Sequence, residues 1–219
     1  MTKKKVGILL SGCGVFDGSE IHEAVLTILF LDQAGAEITC MAPNIPQTQV
    51  INHLTQAEMN ESRNVLVESA RIARGDIKDL KNVKAAELDA LIVPGGFGSA
   101  KNLSDFAFKG SGGEVNPDVK RLIDDMVEAN KPIGALCIAP ATVGMALKDK
   151  SPELTIGSDE ATIGTLRALG VKHTVCAVDE IVIDVKNKIV TTPAYMLGPG
   201  IKEVAKGIEK LVQQILSMI

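Results

Sequence analysis

The stretch from residue 133 to residue 141 reads Ile133-Gly134-Ala135-Leu136-Cys137-Ile138-Ala139-Pro140-Ala141. Apolar or small residues run into Cys137 and small residues lead away from it, which predicts a buried strand that turns sharply into a helix. A thiol at such a turn points at a helix N-terminus, whose amides stabilise the thiolate, and we therefore expect a lowered pKa for Cys137. The alternative is a buried cysteine that packs as a small apolar side chain.

Around this stretch, strand patterns alternate with helical patterns, which predicts an α/β fold with a mostly parallel sheet sandwiched by helices. Ligands bind beyond the carboxyl ends of the strands in such sheets. Three segments follow apolar strand patterns and could therefore converge on one site: Gly12-Cys13-Gly14, Gly95-Gly96 and Cys137. The predicted strands are Val6–Leu10, Glu37–Met41, Leu91–Val93, Ile133–Leu136 and a hairpin of Ile181–Ile183 with Lys188–Thr191; the predicted helices are one that Ser19 caps and Gly35 stops, Ser62–Arg74, Pro117–Asn130, Glu160–Leu169 and Ile201–Met218.

The size and charge of the chain restrict its class. It has 219 residues, of which 46% are hydrophobic, and we predict a single domain over residues 1–219. Its formal net charge is -4, which does not favour nucleic acid or an anionic membrane surface as a partner. No apolar run approaches the roughly 20 residues of a membrane span. We therefore expect neither a nucleic-acid partner nor a membrane partner.

The cysteines and histidines give no metal pattern. The four cysteines lie far apart without a CxxC motif, and free thiols in a reducing cytosol fit them best, so we predict a cytoplasmic protein. The three histidines have no ligand spacing. The glycines of the first loop do not form GxGxxG, and a P-loop motif is missing. We therefore expect no metal and no cofactor.

Several longer motifs carry a family resemblance. Pro94-Gly95-Gly96 after a strand, Cys137 at the turn and an acidic residue on the first helix resemble the PfpI superfamily, which has the class I glutamine amidotransferase-like, flavodoxin-like fold. The match is closer to ElbB-type proteins, which are called enhancing-lycopene-biosynthesis proteins or isoprenoid-biosynthesis proteins with an amidotransferase-like domain. The segments that carry it are Ser11–Val25, Val50–Thr55, Leu88–Gly98, Cys137–Ala141 and Ile189–Met196.

The resemblance implies a role for particular residues. Cys137 matches the nucleophile of the superfamily, and Glu23 matches its acidic partner, whose protonated carboxyl would donate a hydrogen bond to the thiolate. Gly96 and Ile138 match the residues whose backbone amides form an oxyanion hole. Further residues that could line the pocket are Gly12, Cys13, His22 and Asn102. A homodimer is also expected.

The implied activity is cofactor-independent conversion of glyoxal or methylglyoxal to a hydroxy acid, and the same thiolate could act on adducts of these aldehydes with protein amines. The partner is then a small reactive aldehyde. The alternative is a non-enzymatic redox-sensing or partner-binding protein with an oxidisable Cys137. Amidase or glutaminase chemistry is disfavoured, because Ile138 stands where many relatives have histidine and a departing amine needs a general acid.

Some candidate residues have ordinary structural explanations. His22 is adjacent to Glu23, and neighbours on a helix point about 100° apart, so both need not face Cys137. Cys13 could be a redox partner or a loop residue of the pocket. Cys40 and Cys176 have the pattern of core strand cysteines. Residues 97–116 contain a glycine-rich run and could form either a lid or a mobile loop.

Overall fold

The computed structural model describes residues 3–219 of the chain. Its strands are β1 (Lys5–Leu9), β2 (Glu37–Ala42), β3 (Lys78–Asp79), β4 (Ala90–Val93), β5 (Ile133–Leu136), β6 (Glu153–Leu154), β7 (Lys172–His173), β8 (Val182–Asp184) and β9 (Ile189–Thr192). Its helices are α1 (Ile21–Gln33), α2 (Val65–Ile72), α3 (Phe97–Lys101), α4 (Phe106–Lys109), α5 (Pro117–Glu128), α6 (Ala139–Ala146), α7 (Glu160–Ala168) and α8 (Ile201–Ser217).

The predicted fold class is confirmed. The main sheet formed by the described residues has the strand order β3-β2-β1-β4-β5-β9-β8, and its neighbours are parallel except for the antiparallel hairpin of β8 and β9. Without the short β3 and the antiparallel β8, this is the 2-1-3-4-5 order of flavodoxin-like sheets. The order reverses between β1 and β4, so the loops that follow these strands open a crevice at the carboxyl edge of the sheet.

The central strands are buried on both faces because helices cover the sheet from both sides. Every residue of β4 and β5 is buried, which explains why these strands are continuous apolar runs instead of alternating patterns. Gly134 lets a helix approach closely, since a Cβ there would lie 2.9 Å from Cδ2 of Leu211 on α8. Helix α6 is buried along its whole length, which its small residues permit. The strand-to-helix turn at Cys137 is therefore held within the core.

Two local predictions change in the structure. Glu20, not Ser19, caps α1, because its carboxylate accepts the Glu23 N–H while the Ser19 hydroxyl accepts the Ser11 N–H at 2.9 Å. The helix predicted over Ser62–Arg74 is shorter, since Asn64 caps α2 through its side chain. The segment over residues 97–116 forms two short helices and a 3₁₀ turn, and Gly110 and Gly113 of its glycine-rich run end helical turns.

All layers contribute to one cluster of buried apolar side chains. The single domain over residues 1–219 stays a prediction, and residues 1 and 2 lie outside the described part. Across residues 3–219, none of the helices combines the length and the apolar character that a membrane crossing requires.

Candidate functional site

The turn between β5 and α6 has the backbone of a nucleophile elbow. Cys137 has φ +59°, in the left-handed region that disfavours residues with a side chain, and its N–H donates to the Thr192 carbonyl at 3.0 Å. Ile138 follows as the N-cap of α6, and Pro140 lies in the first turn, where its missing N–H is not needed. The strained turn that the sequence predicted is confirmed.

Glu23 lies in the first turn of α1 and is fully buried. The Gly95 N–H donates to its Oε2 atom at 2.9 Å, and the Tyr195 N–H donates to its Oε1 atom at 3.2 Å. Its own N–H donates to the Glu20 carboxylate at 2.7 Å. Backbone groups from the loop after β4 and from the turn after β9 thus hold the Glu23 carboxyl in a single orientation.

Gly95 leaves the space that Glu23 and Cys137 share. A Cβ at residue 95 would overlap Cβ of Cys137, and it would lie 2.5 Å from Oε2 of Glu23 and 3.0 Å from Sγ of Cys137. The carboxyl and the thiol therefore approach each other at a position where any residue except glycine would separate them.

Burial is the main cause of the shifted pKa values of Glu23 and Cys137. Burial and then the Glu20 charge raise the pKa of Glu23, and with the opposing effect of the Tyr195 and Gly95 N–H groups and the Cys137 thiol it stands at about 8. Burial raises the pKa of the Cys137 thiol well above its usual value, and a charged Glu23 adds to this effect. The N–H groups of Gly96 and Ile138 act in the opposite direction, because they donate to the sulfur.

The Glu23 proton therefore affects how strongly the Cys137 thiol holds its own proton. At neutral pH the Glu23 carboxyl keeps its proton, and the repulsion that a carboxylate would exert on a thiolate disappears. The two backbone amides then stabilise negative charge on the sulfur. The expectation of a lowered Cys137 pKa considered only the helix N-terminus, whereas burial at this position raises the pKa of the thiol.

The structure brings Cys137, Glu23, Gly96 and Ile138 together, whereas Gly12 and Cys13 have other neighbours. The Gly12 N–H donates to the Ser69 hydroxyl of α2 at 2.9 Å, so this loop is anchored to a helix. Burial and then the Glu68 charge raise the pKa of Cys13, and the other charges that act on it also differ from those around Cys137. Cys13 is thus a loop residue with its own charged surroundings.

Asn102 is buried and connects three segments of the chain. Its side chain therefore holds loops together and does not line the site as predicted. Its side-chain N–H groups donate to the carbonyls of Ser11 and Asp17, each at 2.9 Å, and its oxygen accepts the Thr48 N–H at 3.0 Å. These bonds leave the amide little capacity for a ligand.

The three histidines form their hydrogen bonds away from the Cys137 sulfur. His22 points outward with 54% of its side chain exposed, and its Nδ1 atom lies 2.8 Å from the Tyr195 hydroxyl. His53 accepts the Phe16 N–H, and His173 accepts the Ile156 N–H. His22 therefore lies beside the Glu23 helix turn without facing the thiol.

Sequence reasoning did not identify the roles of Gly95 and Tyr195 in holding Glu23. The contact between Tyr195 and Glu23 spans 172 positions and uses a backbone N–H, so no residue type signals it. Within residues 3–219, no cluster of three or more potential ligand side chains could hold a metal ion.

Comparisons with known proteins agree with this geometry. The sequence profile of the DJ-1/PfpI family matches residues 12–192. The chain is 46% identical over 224 residues to the human protein named glutamine amidotransferase-like class 1 domain-containing protein 3, mitochondrial, covering 98% of this chain and 83% of that protein. It is 44% identical over 227 residues to the rat ES1 protein homolog, mitochondrial, covering 99% and 84% respectively.

One solved structure is also similar along the whole chain. It is an isoprenoid biosynthesis protein with an amidotransferase-like domain from Ehrlichia chaffeensis. The identity is 38% and the TM-score is 0.92, and the match covers 98% of this chain and 100% of that chain.

The prediction of a cytoplasmic location is wrong, because the human and rat relatives are both named mitochondrial. The prediction rested on four cysteines without a disulfide or metal pattern, and these are free in the structure. Free thiols indicate a reducing environment, and they do not distinguish the cytosol from another reducing compartment.

Proposed function

The chain belongs to the DJ-1/PfpI family, and from that premise we propose that Cys137 and Glu23 convert glyoxal or methylglyoxal to the corresponding hydroxy acid without a cofactor. The family includes glyoxalase- and deglycase-type members. The observation that carries the proposal is a buried carboxyl with a pKa of about 8 beside a thiol on a strained elbow. A carboxyl with this pKa can both donate and accept a proton near neutral pH.

The first step joins the sulfur of Cys137 to the aldehyde, after the thiol has released its own proton to water. The sulfur of Cys137 attacks the aldehyde carbon, a C–S bond forms, and the carbonyl electron pair moves to oxygen. The N–H groups of Gly96 and Ile138 would stabilise this charge, and the Glu23 carboxyl would donate its proton to the oxygen. The product is a hemithioacetal beside a Glu23 carboxylate.

The second step moves hydrogen within the bound substrate. The Glu23 carboxylate removes the proton from the former aldehyde carbon to give an enediolate, and the Glu23 carboxyl then returns that proton to the neighbouring carbon. The hydroxyl proton passes between the two oxygens, and a thioester results. Glu23 then takes a proton from water, whose oxygen adds to the thioester carbonyl. The C–S bond breaks with its electrons returning to sulfur, which releases the hydroxy acid and restores the starting state.

Amidase chemistry is less well supported, although the human relative is named glutamine amidotransferase-like. Departing ammonia needs a positioned general acid, and histidine supplies it in many enzymes. The three histidines of this chain form their hydrogen bonds elsewhere. An aldehyde has no amine to expel, so Glu23 alone can move the protons that the glyoxalase reaction needs.

The test is to incubate the purified protein with methylglyoxal and to follow lactate by proton NMR. Cys137→Ser and Glu23→Gln should each abolish lactate formation, whereas Cys176→Ser, which removes a half-exposed thiol elsewhere, should leave it unchanged. Lactate formation by the Cys137→Ser variant at the wild-type rate would refute the proposal. Ammonia release from glutamine, measured with the same variants, decides the amidase alternative.

A second candidate function is redox sensing through Cys137. The amides of Gly96 and Ile138 that act on the thiolate would also stabilise the oxygens of a sulfinate. Two equivalents of hydrogen peroxide would oxidise the sulfur through the sulfenate and would be reduced to water. Mass spectrometry after limited peroxide treatment should then find two added oxygen atoms on the Cys137 peptide and none on the Cys13 peptide.

Three finer assignments belong to the same proposal. The Ehrlichia chaffeensis structure supports an ElbB-type, isoprenoid-linked role, because that protein is named an isoprenoid biosynthesis protein. Adducts of glyoxals with protein amines would be further substrates of the same thiolate. A homodimer is the proposed assembly, and size-exclusion chromatography with light scattering tests it.

A further inference from the structure

Aromatic side chains are concentrated beside the elbow. The chain has five phenylalanines, one tyrosine and no tryptophan. Four of the phenylalanines line two neighbouring cavities of about 360 and about 340 Å³. We call these two cavities together the phenylalanine groove, and the side chains that define it are Phe16, Phe97, Phe106 and Phe108.

The two cavities adjoin each other, and the second adjoins the candidate site. Phe97 and Ala107 line both cavities, so the two share a wall. Phe97 directly follows Gly96, and Ile138, which directly follows Cys137, lines the second cavity. Of the two residues whose N–H groups act on the sulfur, Ile138 therefore lines the groove, and Gly96 precedes a residue that lines it.

Two of these rings stay in contact with water. Phe97 is 45% exposed and Phe108 is 52% exposed, while Phe106 between them is buried. Exposed apolar surface that is contiguous marks a binding site more often than an isolated exposed side chain does. Each cavity also falls in the range of about 300–1,000 Å³ that is typical of small-molecule pockets.

The charges around the groove favour an uncharged ligand. The Lys101 ammonium donates to the Phe16 carbonyl at 3.0 Å and lies 5.5 Å from the centre of the Phe97 ring. Burial lowers the pKa of Lys101, and the nearby charges of Asp17 and Glu58 oppose the shift, so the cation already has acidic neighbours. The second cavity is lined by apolar side chains, a glycine and two threonines. An anionic ligand would gain little from such a lining.

We propose that the phenylalanine groove binds the apolar body of an uncharged α-oxoaldehyde with an aryl substituent, and that the aldehyde carbon then lies at Cys137. The substrate class rests on the proposed function, since only the reaction requires the aldehyde. The recognition of an uncharged aryl body rests on the groove itself. Methylglyoxal fills a small part of either cavity, whereas phenylglyoxal extends from the elbow along the rings.

The kinetic test compares phenylglyoxal with methylglyoxal. The wild type should show a kcat/KM about tenfold higher for phenylglyoxal, which is the scale of discrimination that a hydrophobic pocket gives. Phe97→Ala and Phe108→Ala should each reduce the phenylglyoxal value about fivefold or more through KM, and leave methylglyoxal within about twofold. Phe30→Ala, which removes the one phenylalanine outside the groove, is the matched control and should keep the preference.

A binding test does not depend on turnover. In the Cys137→Ser protein, acetophenone should shift the backbone amide resonances of Phe97, Ala107 and Thr162, and acetone at the same concentration should not. The shifts should disappear in Cys137→Ser with Phe97→Ala and Phe108→Ala. Acetophenone binding without any aldehyde turnover would support the groove while contradicting the proposed function.

Two outcomes would overturn the groove proposal. The first is turnover of both aldehydes at equal kcat/KM without acetophenone binding, which would leave the proposed function intact. The second is a change in oligomeric state on Phe97→Ala with Phe108→Ala, without any change in acetophenone binding. The exposed rings would then form a contact between copies of the chain.

Discussion

The carboxyl of Glu23 and the thiol of Cys137 meet where Gly95 has no side chain. Oε2 of Glu23 accepts the Gly95 N–H at 2.9 Å, and a Cβ on Gly95 would lie 2.5 Å from that same atom and would overlap Cβ of Cys137. Three segments that are distant in sequence thus place an acid and a nucleophile in contact. The contact is possible only because residue 95 is a glycine.

Gly95→Ala adds only one methyl group, but it should disrupt the contact between Glu23 and Cys137 and destabilise the fold. The added methyl group has backbone-anchored neighbours on both sides, and we expect a loss of about 1–3 kcal/mol in the free energy of unfolding, together with loss of aldehyde turnover. Denaturant unfolding measures the first quantity. Gly164→Ala on α7 is the control, because a Cβ there has nothing within 4 Å and should cost no stability. Equal stability of the two variants would contradict the claim that Glu23 and Cys137 occupy the space beside Gly95.

Glu23→Gln should change how stability depends on pH. The pKa of Glu23 rises from an ordinary 4.5 to about 8 on folding, so between these values the folded state binds more protons than the unfolded state. The stability that Glu23 contributes is therefore complete below pH 4.5 and is lost as the pH rises through 8. Glutamine does not titrate, so the wild type should lose a few kcal/mol relative to Glu23→Gln across this window.

Chemical denaturation of both proteins at pH 5, 6, 7 and 8 measures this difference. Glutamine cannot accept both the Gly95 and the Tyr195 N–H groups, which adds a destabilisation that is constant with pH. The slope of the difference against pH is therefore the readout. Parallel profiles would show that Glu23 is ionised in the folded protein over the whole window.

Glu20→Gln should lower the pKa of Glu23. The Glu20 charge is the second cause of the raised value after burial, and its carboxylate is close enough to accept the Glu23 N–H at 2.7 Å. Titration of the Glu23 carboxyl carbon by ¹³C NMR measures the shift directly. Glu20→Asp keeps the charge and should keep the pKa raised, whereas equal pKa values in both variants would assign the whole rise to burial.

The elbow could be predicted from sequence because its signal is local: an apolar strand, a cysteine and small residues follow one another between residues 133 and 141. The contacts around Glu23 could not, because Tyr195 contributes a backbone N–H from 172 positions away. Asn102 shows a second limit. An asparagine in a sequence motif looks the same whether its side chain faces a ligand or connects loops. Only its hydrogen-bond donors and acceptors in the structure distinguish these roles.

Asn102→Ala should destabilise the fold and not merely alter a pocket. The variant leaves the carbonyls of Ser11 and Asp17 and the N–H of Thr48 without their partner in a buried region, which costs about 1–3 kcal/mol for each group that water cannot reach. Thermal unfolding should show a lower Tm. Asn60→Ala at an exposed position is the control and should leave Tm unchanged. A Tm equal to that of the control would mean that Asn102 does not hold these loops together.

The strain at the elbow can be measured by comparing two residues that both lack the thiol. Cys137 has φ +59°, where a residue with a Cβ costs roughly 1–2 kcal/mol and glycine does not. Cys137→Gly should therefore be at least as stable as Cys137→Ala, although glycine buries one carbon less and has a more flexible unfolded chain. Ala141→Gly, in the buried helix that follows, lacks this compensation and should lose about 1 kcal/mol or more. Urea unfolding of the three variants beside the wild type gives the comparison. If the change from alanine to glycine costs as much stability at residue 137 as it does at residue 141, the turn stores no strain. Packing alone then has to explain why the thiol lies at the elbow.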